Sequence, residues 1–448
     1  AASTWYTTQE DIDKAERVKL KFISQPTYTR HVLPAFIPPG ELITVEIPEA
    51  LIGTTLTINQ QCKSFDNDTP NHRQRFNNPV IQITLSKTVN KFASPYGGSC
   101  CIWGTTNVPR EFIFSGVIMQ PYFYYGMNSD EEWENELSKL PGAFAFFDTG
   151  NLIQLCPAKH IRSTYRLNDC MKYWRSALQV SQTTAKDYNG YGNSQFGRVH
   201  NPCAIYYDAY VPYGAACSYT TSNFIQAPPS WATTTTTFTS SVSIPWGTIH
   251  EIDHQHQHNW GYAIPSQRGE MTNNAVNLVV FAKNNMVASE RLTSGWGRYT
   301  YPSFMLNSQD IYGLQLYSTM LHFFGVEKFK KFVYLDQQDN DEYKESVFGQ
   351  PGAEMLRASK VFQRNLVHHY NFVTVTNESM TSGTGDTFGE LKKLNLKPFH
   401  PVSSVYAVGI VTDGEDIITA TPYKIMPIPQ KIDFVSTMVQ RADKEKFG

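Results

Sequence analysis

His250-Glu251-Ile252-Asp253-His254 is the stretch on which the reading of this chain turns, and Glu270 follows sixteen residues after its second histidine. Residues four apart on an α-helix share a face, so His250 and His254 present two imidazoles one turn apart. Two imidazoles so placed can share one zinc ion, and Glu251 on the adjoining face can take a proton from a water on that metal. A catalytic zinc takes three protein ligands and keeps a fourth position open. Glu270, in Gly269-Glu270-Met271-Thr272-Asn273-Asn274, is the candidate for the third, with one Zn2+ expected per chain.

With 12 histidines among 448 residues, the five-residue motif alone is a moderate signal, and such a pair can equally be an exposed helix face without metal. The surroundings favour the site. Thr248 or the turn at Pro245-Trp246-Gly247 can start a helix, and Ile249, Ile252 and Trp260 can pack it. A second helical run, Thr272 to Met286, puts Glu270 at its entrance. His256 and His258 just beyond the motif are read as solvated, since the ligand set already has its three members.

Composition narrows the function classes. Length allows two or three domains and a sizeable core. A net charge of −2 offers no basic surface, which sets nucleic acid aside as a partner. No apolar run approaches the length of a bilayer span, so no membrane span and a soluble chain are expected, and the first residues lack the regions of a signal peptide. Seven cysteines form no Cys-x-x-Cys pair, which argues against a thiolate metal site; their odd number leaves one free or joined to another chain. Sequons at Asn67 and Asn377 decide nothing alone.

Along the chain, Asp11 to Arg17 reads as a short helix, and from Lys19 to about Tyr125 apolar residues alternate between Pro and Gly turns. That pattern predicts an N-terminal β-sandwich. Ser129 to Leu140 reads as a helix whose acidic first turn suits the helix dipole. Phe144 to Cys156 reads as β and His160 to Leu178 as helix. Ala204 to Ala215 reads as a strand, while the five threonines Thr233 to Thr237 fit a strand or an exposed linker. Helices are predicted at Ile311–Phe324, Val326–Leu335 and Met355–Tyr370, and strands at Ser404–Val411 and Ile417–Ala420.

These residues resemble a known family. His250-Glu251-x-x-His254, Glu270 and Thr272-Asn273-Asn274 are similar to the site of the enhancin-like zinc metallopeptidases, viral enhancing factors and mucin-degrading relatives of gluzincin type. Pro39-Gly40-Glu41 and Ser94-Pro95-Tyr96-Gly97-Gly98 resemble the family's N-terminal β-domain, and Pro121 through Trp133 its junction. Leu321 to Gly325, Phe329, Asn365-Leu366 and His368-His369-Tyr370 resemble its downstream helices, so the likeness runs collinearly from about 20 to 375. Asp253 stands where the family usually carries glycine, and Pro141-Gly142-Ala143-Phe144 replaces its Pro-Trp-Ala-Glu segment.

The resemblance implies an α+β fold. A jelly-roll-like β-sandwich (1–125) would be followed by a mainly helical zincin-type metallopeptidase domain (126–385) and a C-terminal β-rich segment (386–448). It further implies a zinc endopeptidase in which Glu251 is the general base and a mucin-like, O-glycosylated glycoprotein is the substrate, and it favours a secreted or virus-associated protein. Ala204–Ala215 would supply the sheet edge on which an extended peptide adds. Tyr299, Tyr312 and His322 are the candidates by chemistry for steadying the tetrahedral oxygen, and Trp296, Tyr299 and Tyr301 can stack on sugar or simply pack. The competing reading is a structural or binding protein on the same fold, such as a viral particle or occlusion-body protein. Low charge and abundant tyrosine and phenylalanine fit it.

Overall fold

A computed structural model of the chain describes residues 7–24, 28, 30–59, 80–103, 109–188, 202–208, 211, 216–219, 224–236, 246–255, 273, 274, 277, 316, 317, 320, 323–372, 375–399, 410–413 and 416–419. Two compact units divide it: the described residues of 1–178 and 200–255 form the first, and those of 179–199 and 256–431 the second.

The first unit opens with α1 (Gln9–Lys14), where the Thr8 hydroxyl accepts from the Asp11 amide at 3.0 Å and the Asp11 carboxylate accepts from the Thr8 amide at 3.3 Å. Such reciprocal capping satisfies two backbone donors that a helix start leaves open. The alternating stretches then form β1 (Val18–Ser24), β2 (Arg30–Ile37), β3 (Ile43–Glu46), β4 (Thr55–Ile58), β5 (Ile81–Thr84), β6 (Val89–Phe92), β7 (Gly98–Trp103) and β8 (Arg110–Met119). All pair antiparallel, in the order β5-β4-β7-β2-β8-β3-β6 with β1 also on β8, so the N-terminal region is β-rich as expected. β8 is the shared strand: β1 runs along Arg110–Val117, β3 along Ile113–Ser115, and β2 along Ile118–Met119. Val18 pairs with Val117 and Lys19 with Ser115, so Gly116 is the extra residue of a β-bulge. Its φ is +92°, and a Cβ there would stand 3.1 Å from the Leu42 carbonyl oxygen.

A second sheet of six strands comprises β9 (Tyr122–Tyr124), β10 (Phe144–Asp148), β11 (Leu152–Pro157), β12 (Cys203–Tyr207), β13 (Cys217–Tyr219) and β14 (Phe224–Ala227). Its order is β13-β14-β12-β11-β10-β9; β13 runs antiparallel to β14, and β11 antiparallel to β10. The remaining pairs are parallel. Among the described residues the chain beyond 126 is mixed α/β, this sheet standing alongside its helices. Between β9 and β10 lies α2 (Asp130–Asn135), capped by Ser129 and Glu132, and Trp133 on it donates its indole N–H to Thr164 O at 2.9 Å. α3 (Leu167–Tyr188) follows β11, and the Arg175 guanidinium on it donates to Thr149 O at 3.1 Å.

Two expectations fail here. β12 lies inside the sheet, paired on both sides, so the described part of Ala204–Ala215 is not a free edge; among the described residues the end strands are β13 and β9. Thr233–Thr236 are neither strand nor linker but the end of α4 (Pro229–Thr236). Pro229 presets the first helical turn, and packing on β11, β12 and the 3-10 turn Ala158–His160 overrides the weak β preference of threonine.

In the second unit the principal described helices are α6 (Val326–Gln338), α7 (Gln350–Phe362) and α8 (Val367–Phe372). Buried Arg357 on α7 donates to Asp336 at 3.2 Å, Asp341 at 3.1 Å and Tyr343 O at 2.7 Å, and also meets Asp339. Glu354, one turn before it, accepts from the Tyr317 and Tyr370 hydroxyls, each at 3.0 Å. His369 bonds through Nε2 to Leu316 O at 3.0 Å, and burial pushes its pKa down to about 4. A two-stranded antiparallel ladder, β15 (Ile410–Asp413) with β16 (Asp416–Thr419), closes the described chain; most of the strand expected at Ser404–Val411 lies outside the described residues.

Gly116→Ala forces a side chain into positive φ against Leu42 O and is expected to lower stability by about 1–2 kcal/mol in chemical denaturation. Asp148, at the end of β10, gives a pH-dependent expectation. Burial pushes its carboxyl up to about 7, although the Gly150 amide at 2.8 Å, the Arg175 guanidinium and the Tyr28 hydroxyl pull it down. The unfolded carboxyl ionises near 3.8, so the folded state holds the extra proton and the contribution of Asp148 to stability falls as pH rises from about 4 to about 7. Asp148→Asn is expected to gain on the wild type, by on the order of 2 kcal/mol, between pH 5 and pH 8. A difference that stays constant across that range would contradict this account.

Candidate active site

The histidine stretch forms the end of α5 (Trp246–His254). A nine-residue helix is marginal in water and depends on what it packs against. Here Thr248, Ile249, Ile252, Asp253 and Gln255 are buried, and the helix lies on β13 and β14. Full burial of Ile249 and Ile252 contributes about 2 kcal/mol each. Gln255, just past the helix, donates from Nε2 to Phe224 O of β14 at 3.4 Å, tying down the end that carries His254.

His250 and His254 are half-buried on the same face. Their Nε2 atoms stand 3.1 Å apart, with the rings at 86° and their centroids 4.6 Å apart. Two nitrogens bound tetrahedrally to one zinc at its usual bond length lie about 3.3 Å apart. The observed separation is close to that distance and also suits a hydrogen bond between the two rings. Glu251 is 8% exposed, and it projects from the same helix between the two histidines in sequence.

Asp253 is 1% exposed and belongs to the buried side. Burial pushes the Cys203 thiol up to about 12, Asp253 adds to that rise, and Arg30 opposes it. Arg30, on β2, is itself 1% exposed, and its guanidinium lies 4.1 Å from the Trp103 ring centroid, 5.3 Å from that of Tyr206 and 5.8 Å from that of Phe224.

Of the expected site residues, the structure brings together His250, Glu251 and His254. Glu270, Trp296, Tyr299, Tyr301, Tyr312 and His322 lie outside the described residues, as do His256 and His258. Among the described residues, no three His, Cys, Asp or Glu side chains stand in a metal-holding group. Sequence reasoning passed over Trp231. A Cβ built on Gly247 of α5 would meet its indole Cη2 at 2.5 Å, so that glycine is what lets α4 approach the metal helix. The available signal was the spacing of Gly247, three before His250 and four before Glu251.

Antigenic protein P1 of Entamoeba histolytica is 24% identical over 436 residues, covering 89% of this chain but 37% of that protein, so the chain spans little more than a third of its relative's length. Among solved structures, the M60 catalytic domain of Clostridium perfringens ZmpC, in complex with the sialyl T antigen, superposes with a TM-score of 0.52 at 16% identity, covering 80% of this chain and 75% of that one. IMPa from Pseudomonas aeruginosa, in complex with an O-glycopeptide, gives 0.53 at 13% identity, covering 88% and 53%. At these identities the likeness is one of fold. The N-terminal domain of M60-like peptidases matches residues 13–108. Because the family description "Peptidase M60, enhancin and enhancin-like" matches residues 116–372, more than half of the sequence and the whole of α5, the chain belongs to that family.

Proposed function

We propose that this chain is a zinc-dependent endopeptidase acting on O-glycosylated, mucin-like proteins. The observation that carries the reading is the 3.1 Å separation of the His250 and His254 Nε2 atoms on a helix seated against a sheet. Those two imidazoles would hold the metal, with Glu270 from the following segment as the third ligand. Zinc, when bound, supplies a Lewis acid that acidifies a water and polarises a carbonyl. Glu251 would accept a proton from the attacking water and pass it to the leaving amine. β13, the sheet edge beside α5, offers backbone groups on which an extended substrate can add. Tyr299 and Tyr312 are proposed as donors to the developing oxyanion, and Trp296 as a substrate contact.

Family membership supports peptidase chemistry. The class of substrate is inferred from two fold neighbours, one in complex with the sialyl T antigen and one with an O-glycopeptide. Both make a glycosylated peptide a better first substrate than a plain one.

Purified protein loaded with zinc and dialysed is expected to retain about one ion per chain by mass spectrometry, and His254→Ala to retain under a tenth of that. Glu251→Gln is expected to keep the metal while kcat falls by about a thousandfold or more on mucin-type glycoprotein. A metal-loaded wild type that cleaves no glycoprotein would point instead to a structural or binding role.

A further inference from the structure

The sequon Asn377-Glu378-Ser379 has no part in the peptidase mechanism, and as a pattern it decides nothing. Its place in the fold says more. Asn377 opens α9 (Asn377–Met380), a single turn after α8 that packs on α7 and buries only Met380. The Thr376 hydroxyl caps it, accepting from the Ser379 amide at 3.2 Å. Asn371, Thr376, Asn377, Glu378 and Thr381 are exposed and Ser379 is half-buried, so the sequon stands among side chains that meet water.

The side-chain amide of Asn377 is held by one end. Its Oδ1 accepts from Asn371 Nδ2 of α8 at 2.9 Å. The Thr381 hydroxyl donates to the Asn377 backbone oxygen at 2.9 Å and leaves the side chain alone. Among the described residues, Nδ2 of Asn377 donates to no group. That nitrogen is the atom to which sugar is joined in an Asn-x-Ser acceptor, where x is any residue but proline, and here x is Glu378. An oligosaccharide is bulky and strongly hydrated, so it is borne without loss only where no buried group has to make way. A single helical turn also has little stability of its own, so the growing chain can present these residues extended before α7 is in place to hold them.

We propose that Asn377 is an N-glycosylation site, and with it that this chain is made in a compartment holding an oligosaccharide linked to a lipid diphosphate. In the transfer, the bond between the sugar C1 and the diphosphate oxygen breaks and C1 bonds to Nδ2. The amide gives up one proton, and the lipid diphosphate leaves with the electron pair, so nothing is oxidised or reduced. The proposal does not depend on the peptidase reading. Its rival is an amide whose whole role is the bond to Asn371, which leaves Asn377 unmodified. The other sequon, at Asn67, lies outside the described residues.

The test takes the full chain purified from its source organism, treats one half with peptide-N-glycosidase in heavy-oxygen water, and maps the peptide containing residue 377 by mass spectrometry. The untreated half is expected to show glycosylated asparagine in most chains, and the treated half aspartate carrying the heavy oxygen. Unmodified Asn377 in both halves overturns the proposal, whatever stands on Asn67. A second measurement asks whether the sequon itself is read. The chain is secreted from cultured eukaryotic cells as wild type, Ser379→Ala and Ser379→Thr. Loss of the glycan in Ser379→Ala and its retention in Ser379→Thr support the proposal, because the hydroxyl is what the acceptor requires at that position. A modification of Asn377 that survives Ser379→Ala overturns it. Should Ser379→Ala fail to fold, the map of the protein from its source decides alone.

Discussion

The site depends on how α5 is seated. Two histidines four apart coincide in direction on any helix, but nine residues do not hold a helix in water. The fold supplies the missing stability through Ile249 and Ile252, wholly buried toward β13 and β14, and through the Gln255 bond to Phe224 O at the C-terminal end. That seat turns a pattern in sequence into two nitrogens 3.1 Å apart. It also settles what can approach: the edge strand β13 lies along one side of the helix, and α4 reaches the turn before His250 because Gly247 has no side chain.

What was legible in the sequence is what depends on local period. The N-terminal strands alternate, and the helix at Ser129 carries its own capping residues, so each announces itself within a few positions. The histidine helix is legible for the same reason, since a four-residue spacing fixes a shared face before any tertiary contact forms. In the second sheet, Phe144–Asp148 and Leu152–Pro157 read as β from their composition, but they are buried at every position, so no alternation told which face would be covered.

Order within a sheet was not legible at all. Cys203–Tyr207 has the composition of a strand wherever it stands, and only its pairing with both β11 and β14 places it inside. The threonine run shows the same limit in reverse: β-branched residues lose little more than a few tenths of a kcal/mol each in a helix, so packing of α4 on three neighbours decides their state. Trp231 was missed because its partner is a glycine, and a contact made possible by an absent atom leaves no mark in hydrophobic pattern.

The aspartate before the second histidine belongs to the buried side of α5. An ionised carboxylate withdrawn from water costs several kcal/mol unless positive charge or hydrogen bonds answer it. Asp253 is 1% exposed, and so is Arg30; the two act on the buried Cys203 thiol in opposite directions, so both lie close enough to it to be felt. Arg30 comes from β2 of the N-terminal region and reaches the rings of Tyr206 and Phe224, which belong to the second sheet. Tyr28 crosses the same junction, donating to Gly150 O at 2.9 Å, and Phe36 meets Phe144 at 6.4 Å. The N-terminal strands therefore pack against the sheet on which α5 is seated.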